Sequence, residues 1–216
     1  QAQPTPTPNL TARQYFDRAG KHLDTGEYQK AIDNYDDAIR LDPQYSRAYN
    51  NKGIAYKKLA QPDRAIQDFD EAIRLDSEYA HAYFNRGIAY NALGQYERAI
   101  QDFDEAIRHN PQYAKSYNKK GIAYNSISQY ERAIQDFDEA IRLNPMFADA
   151  FVNRSSAYIS LGQYEIAKDD LDHAIQLAPQ LPEAYFWRAY LYDELGQYPR
   201  AISDLDQAIK LNPQDP

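Results

Sequence analysis

Apolar residues recur along this chain with a helical period, in paired short segments divided by Gly and Pro. Over 96–109, Ala99, Ile100, Phe103, Ala106 and Ile107 return at steps of one, three and four, with Gln, Asp, Glu and Arg between them. That spacing sets one apolar stripe on one side of a helix. Upstream, Tyr83, Gly87 and Tyr90 keep the same rhythm and predict a first helix. Leu93-Gly94 ends it, because Gly accepts the left-handed cap at little cost. Asn110-Pro111 stops the second helix, since Pro cannot continue the hydrogen-bond ladder. Small residues (Gly87, Ala99, Ala106) meet large ones (Tyr83, Tyr90, Phe103), which predicts two closely approaching helices.

The pattern repeats. The run RAIQDFDEAIR occurs at 64–74, 98–108 and 132–142, each copy 34 residues after the last. Extended both ways, this register gives six units over 12–45, 46–79, 80–113, 114–147, 148–181 and 182–215. A constant period of this size marks a solenoid, in which each unit packs on its neighbours. Positions are numbered below as slots 1 to 34 of a unit, Ala12 being the first slot of the first. Most of the 20 tyrosines fall on slots 4, 11 and 17, so the aromatic content is structural.

An aromatic residue, Gly, Tyr, Ala, Phe, Ala and Pro at slots 4, 8, 11, 20, 24, 27 and 32 resemble the tetratricopeptide repeat. The resemblance covers the six units without a break. It implies an all-α, right-handed superhelical solenoid of six antiparallel helix pairs: one domain over 11–216 behind an extended Pro/Thr-rich leader, 1–10. Departures are local: Ser77 replaces the terminal Pro of unit two, and Pro62 opens that unit's second helix, where a first-turn Pro is tolerated.

Slot 7 is basic in every unit (Arg18, Lys52, Arg86, Lys120, Arg154, Arg188) and slot 25 is always Asp, from Asp36 to Asp206. We expect an ion-pair ladder between the paired helices, with the long stems lying on apolar surface.

The resemblance further implies that slots 2, 5, 6, 9, 12 and 13 line a concave groove that binds a protein or peptide. Slot 6 carries Asn51, Asn85, Lys119 and Asn153. An Asn amide both donates and accepts, so a spaced column suits an extended peptide backbone; equally, Asn is simply common at this slot. Slot 2 adds Lys115. Phe186, Trp187 and Tyr190 place three aromatics within five residues, either as anchors for a ligand or as packing inside the last unit. The expected site is therefore Asn51, Asn85, Lys115, Lys119, Asn153, Phe186, Trp187 and Tyr190.

Nothing points to catalysis, cofactor or metal. The four histidines occupy four different slots, Cys is absent, and no glycine loop cradles a phosphate. A net charge of −8 argues against nucleic acid, and no apolar stretch is long enough to span a bilayer. At the far end Ile202, Leu205, Ala208 and Ile209 form a candidate self-association face. This gives the alternative to a peptide-binding scaffold: a subunit that polymerises head-to-tail into a homo-oligomer or filament. Thr5 and Thr7 are candidate sugar acceptors and Asn9 fits an N-glycosylation pattern, although Thr11 with Gln14 reads better as a capping box. A processed, Gln/Ala/Pro/Thr-rich start suits a periplasmic or extracellular location.

Overall fold

The structure, a computed structural model, describes residues 10–213, so the leader and its candidate acceptors Thr5, Thr7 and Asn9 lie outside it. Among the described residues there are twelve helices and no strand, arranged as consecutive helix pairs. Backbone contacts divide the chain into two compact units, 1–109 and 110–216. The first holds α1 (Ala12–Asp24), α2 (Tyr28–Leu41), α3 (Ser46–Lys58), α4 (Pro62–Leu75), α5 (Ala80–Ala92) and α6 (Tyr96–His109). The second holds α7 (Ala114–Ser126), α8 (Tyr130–Leu143), α9 (Ala148–Ser160), α10 (Tyr164–Leu177), α11 (Pro182–Glu194) and α12 (Tyr198–Leu211). Within each unit the helices of a repeat pack on each other, and each second helix packs on the first helix of the next repeat: α2 on α3 and α4 on α5, then α8 on α9 and α10 on α11.

The start of α1 forms the expected capping box: Gln14 N–H donates to Thr11 Oγ1 at 3.3 Å and Thr11 N–H to Gln14 Oε1 at 2.8 Å. The turn inside each repeat closes at slot 15, where the backbone is left-handed. Gly26, Gly94, Gly162 and Gly196 hold φ of 77°, 71°, 72° and 69°. Ala60 and Ser128 adopt the same conformation at 55° and 59° without the glycine, a local strain of about 1–2 kcal/mol each.

One large side chain centres each of the first five pairs. Tyr35, Phe69, Phe103, Phe137 and Leu171, all at slot 24, are fully buried. Each such burial contributes roughly 2–3 kcal/mol. Opposite the three phenylalanines, slot 8 is Gly for lack of space. A Cβ on Gly53, Gly87 or Gly121 would stand 2.6, 2.8 or 2.6 Å from the facing ring. Where slot 24 is Leu171, slot 8 admits Ser155.

The ion-pair ladder exists with a different connectivity from the expected one. At Lys52, Arg86, Arg154 and Arg188 the slot-7 cation reaches the slot-25 Asp of the preceding repeat, and its partner within its own helix pair is the Asp at slot 23. Arg86 Nη1 meets Asp70 at 2.6 Å, while its Nε and Nη2 grip both oxygens of Asp102 at 2.8 and 2.6 Å. Arg154 does the same with Asp138 and Asp170, and Arg188 with Asp172 and Asp204. Lys52 bridges Asp36 at 3.0 Å and Asp68 at 3.1 Å. Helix geometry explains the difference. The slot-7 side chain sits at the seam where one repeat meets the next, so it ties three helices rather than two. Aromatic rings flank it: Arg86 lies 5.6 Å from the Tyr83 ring centroid and 5.9 Å from that of Tyr90.

Candidate functional site

In the first unit the slot-6 amides are engaged inside the protein. Asn50, 3% exposed at slot 5, donates from Nδ2 to Asn51 Oδ1 at 2.9 Å. Its own Oδ1 accepts from Asn85 Nδ2 at 3.0 Å, and Asn85 is itself buried. Sequence reasoning missed Asn50. Its signal was a 35-residue offset, slot 5 of one repeat to slot 6 of the next. The second unit repeats the device, with Asn153 Nδ2 donating to the buried Asn118 Oδ1 at 3.0 Å. These amides therefore tie successive first helices together, which uses a donor of Asn85 and of Asn153 that a peptide backbone would need. Nearby, Asn125 Nδ2 donates to Ser156 Oγ at 3.1 Å, while Asn125 Oδ1 and Ser116 Oγ are buried without a partner.

Lys115 and Lys119 sit on α7, the first exposed and the second half-buried. Helix α9 touches both α7 and α11. On α11, Phe186 and Tyr190 are 50% and 44% exposed, with Trp187 half-buried between them. Edge-to-face contacts hold the three together, at 5.9 Å from Phe186 to Trp187 and 5.8 Å from Trp187 to Tyr190. Trp187 also leans on the core formed by Phe151, Val152 and Leu171. Beside the aromatics, Ile159, Ser160, Tyr164 and Glu194 complete a recess of roughly 370 Å³. The Glu194 carboxylate pushes the Tyr190 phenol above its ordinary pKa. The cluster thus has one half-buried ring packed against the core and two rings toward solvent.

On α12, Ile202 is 60%, Leu205 39% and Ile209 59% exposed, with Ala208 half-buried. No group of three metal-ligating side chains occurs among the described residues, and no helix there is long and apolar enough to cross a membrane.

Burial governs the ladder's titration. It pushes Asp68 up to about 6 against the pull of Lys52, and raises Asp102 and Asp170 despite their arginines. Burial works against the Arg86 cation too, but the hydrogen bonds it donates to Asp102 and Asp70, with their negative charge, outweigh it and hold the guanidinium above its ordinary value.

Comparison with known proteins gives a consistent result. The tetratricopeptide repeat profile matches residues 46–79, 80–113, 114–147 and 182–215, a second profile of that description matches 148–181, and one described as TPR repeat matches 21–59. No curated protein matches the chain. Among solved structures, the MamA protein is 26% identical, with 78% of this chain and 92% of MamA covered and a TM-score of 0.69. PilF of Pseudomonas aeruginosa is 19% identical over 94% of this chain and 93% of its own, with a TM-score of 0.81. YrrB, described as a TPR protein with an unusual peptide-binding site, is 22% identical over 83% of this chain and 93% of its own, with a TM-score of 0.64. The register of the repeats, the helix pairs and these matches agree, and the chain belongs to the tetratricopeptide repeat family.

Proposed function

We propose that this chain is a non-catalytic scaffold whose second unit binds an extended peptide across α7, α9 and α11. The aromatic recess beside Trp187 carries the reading: Phe186 and Tyr190 are exposed, edge-packed and held by a ring anchored in the core, which is how interface anchors are built. Lys115 and Lys119 supply positive charge on α7, while Glu183, Asp193 and Glu194 make α11 acidic. The ligand this favours carries a large apolar side chain for the recess and an acidic stretch for α7, the charges fixing its direction. Asn153 supports the site by tying α9 to α7 and is not its main contact, while Asn85 does the same between α5 and α3 in the first unit. YrrB, with its own peptide-binding site, lends the class of ligand some support.

Trp187 is the single tryptophan, so its emission reports the recess directly. Short peptides pairing one large apolar residue with an acidic run are titrated against the full chain. Saturable emission changes are expected, weakened about tenfold by Tyr190→Ala and less by Lys119→Ala. Helical circular dichroism stays unchanged, because both side chains reach solvent. If no such peptide shifts the emission, or both variants bind as the parent does, this reading is wrong.

The exposed α12 residues favour a second reading, self-association through that face. Head-to-tail assembly is the less favoured form of it, for a reason visible in α1. At slots 3 and 10, where later repeats have small or aliphatic buried residues, α1 carries the exposed Gln14 and Lys21. Sedimentation at high concentration decides: a clean monomer ends the second reading.

A further inference from the structure

The chain seats arginines on its surface in one recurring way. In four repeats the slot-19 arginine lies over the slot-11 tyrosine ring and donates to the slot-16 glutamine. Arg64 is 5.5 Å from the Tyr56 ring centroid, and its Nη1 donates to Gln61 Oε1 at 3.2 Å. Arg98 on Tyr90, Arg132 on Tyr124 and Arg200 on Tyr192 repeat this at 5.5, 5.7 and 5.6 Å. Gln95, Gln129 and Gln197 accept from them at 3.0, 2.9 and 2.8 Å. A guanidinium suits such a place because its flat face lies on a ring while its rim still donates.

Helix α11 offers the ring and the acceptor without the arginine. Trp187, Tyr190 and Glu194 stand at i, i+3 and i+7, so they share one face, and the other repeats do not combine two aromatics and an acid at these slots. They line the recess that Ile159 and Ser160 of α9 and Tyr164 of α10 close, and no residue of α12 enters it. Glu194 is the charged residue of that lining, and its carboxylate stands beside the Tyr190 hydroxyl. Among the described residues no cation pairs with it. Lys168 goes to Asp172, Arg188 to Asp172 and Asp204, and Arg200 to Gln197.

We propose that the Tyr190–Glu194 end of this recess binds an arginine side chain of the peptide ligand. Its guanidinium lies over the Tyr190 ring and pairs with Glu194, and its apolar stem covers Ile159. The arginine presupposes the peptide site proposed above and completes its ligand: acidic residues toward α7, a large apolar side chain against Phe186 and Trp187, and an arginine next to it. Each end of such a ligand meets the opposite charge, and a peptide acidic throughout is rejected at Glu194.

The probes are fluorescein-labelled peptides with an acidic run, one leucine and, beyond the leucine, Arg, Lys, Gln or Glu, each made in both chain directions. Anisotropy on titration with the full chain gives their affinities. In the direction that binds, the Arg peptide is expected to bind about fivefold to tenfold more tightly than the Gln peptide. The Lys peptide falls between them, because an ammonium pairs with Glu194 but does not lie flat on the ring. Glu194→Gln brings the ratio of Arg to Gln peptide close to one, and on Glu194→Arg the Glu peptide binds more tightly than the Arg peptide. Ratios between peptides on one protein are not imitated by a general loss of stability. If no peptide binds in either direction, the peptide site falls and the arginine with it. If the peptides bind with a ratio near one, or the ratio survives Glu194→Gln, the arginine subsite alone is overturned. A Lys peptide as tight as the Arg peptide overturns the guanidinium assignment.

Discussion

The second and third repeats contain the same eleven residues, RAIQDFDEAIR, in the same place, yet the buried carboxylate within that run meets different chemistry in each. In the third repeat Asp102 has both oxygens held by the planar fork of Arg86. In the second, Lys52 offers one point of contact, 3.1 Å from Asp68 Oδ1, and Asp68 Oδ2 is buried with no partner. The turns differ as well: Gly94 closes the third repeat's turn and Ala60 strains the second's. A repeat's identity thus lies less in its conserved run than in the partner delivered sixteen residues upstream. The second repeat is the looser of the two, and each difference can be reversed by substitution.

The largest effect is expected from Asp102→Ala. It leaves the guanidinium of Arg86, 19% exposed, with Asp70 alone. Removing one partner of such a pair costs about 3 kcal/mol or more. Asp68→Ala costs less, because one Asp68 oxygen has no bond to lose. Chemical denaturation of both variants measures the gap, and equal losses would erase the distinction between the repeats.

Acid sharpens the same contrast. Asp68 titrates near 6 in the folded chain and near 3.9 when unfolded. Between those values the native state binds more protons than the unfolded one. Linkage then makes this group's contribution to stability rise as the pH falls through 6 toward 4, and level off below. Measured against Asp68→Asn, which cannot titrate, the parent should gain on the order of 1–2 kcal/mol over that window. A pH-independent difference would mean that Lys52 already satisfies the carboxylate.

The architecture was legible because the register constrains it twice over, through helical spacing and through a constant period. Gly at slot 8 and Phe at slot 24 could be read as small facing large, and the clash distances at Gly53, Gly87 and Gly121 give that its physical content. The ladder was legible in composition but not in connectivity, since slots 23 and 25 both carry Asp and only the seam between repeats distinguishes them. Only some partners of the slot-6 amides lie within one repeat: Asn51 accepts from its neighbour Asn50, while Asn85 and Asn153 reach Asn50 and Asn118 of the preceding repeat. Phe186, Trp187 and Tyr190 were visible as a break in the pattern, which is why that cluster rather than the amide column carries the peptide reading.

The turns supply a smaller test. Gly94→Ala imposes the left-handed strain that Ala60 already bears, and Ala60→Gly relieves it. The first should lose, and the second gain, about 1 kcal/mol in denaturation midpoint analysis. Two losses would show that the unfolded-state entropy of glycine outweighs the strain at this slot.

The smallest effect, and the most pointed, is expected from Lys52→Arg. Space for the fork exists: Lys52 is as enclosed as Arg86, at 14% against 19% exposed, and each lies 5.6 Å from the ring of its slot-4 tyrosine, Tyr49 or Tyr83. An arginine there can give two N–H groups to Asp68 and one to Asp36, reproducing the grip on Asp102 and Asp70. The gain should be about 0.5–1 kcal/mol, since a bidentate bond replaces a point contact while the burial of Asp68 is unchanged. Carboxyl NMR should show Asp68 titrating below its parent value of about 6, and the acid-induced gain over Asp68→Asn should shrink with it. If stability rises while the titration stays in place, the extra stability comes from the arginine stem packing on Tyr49. The two repeats would then differ in packing rather than in the number of hydrogen bonds each carboxylate receives.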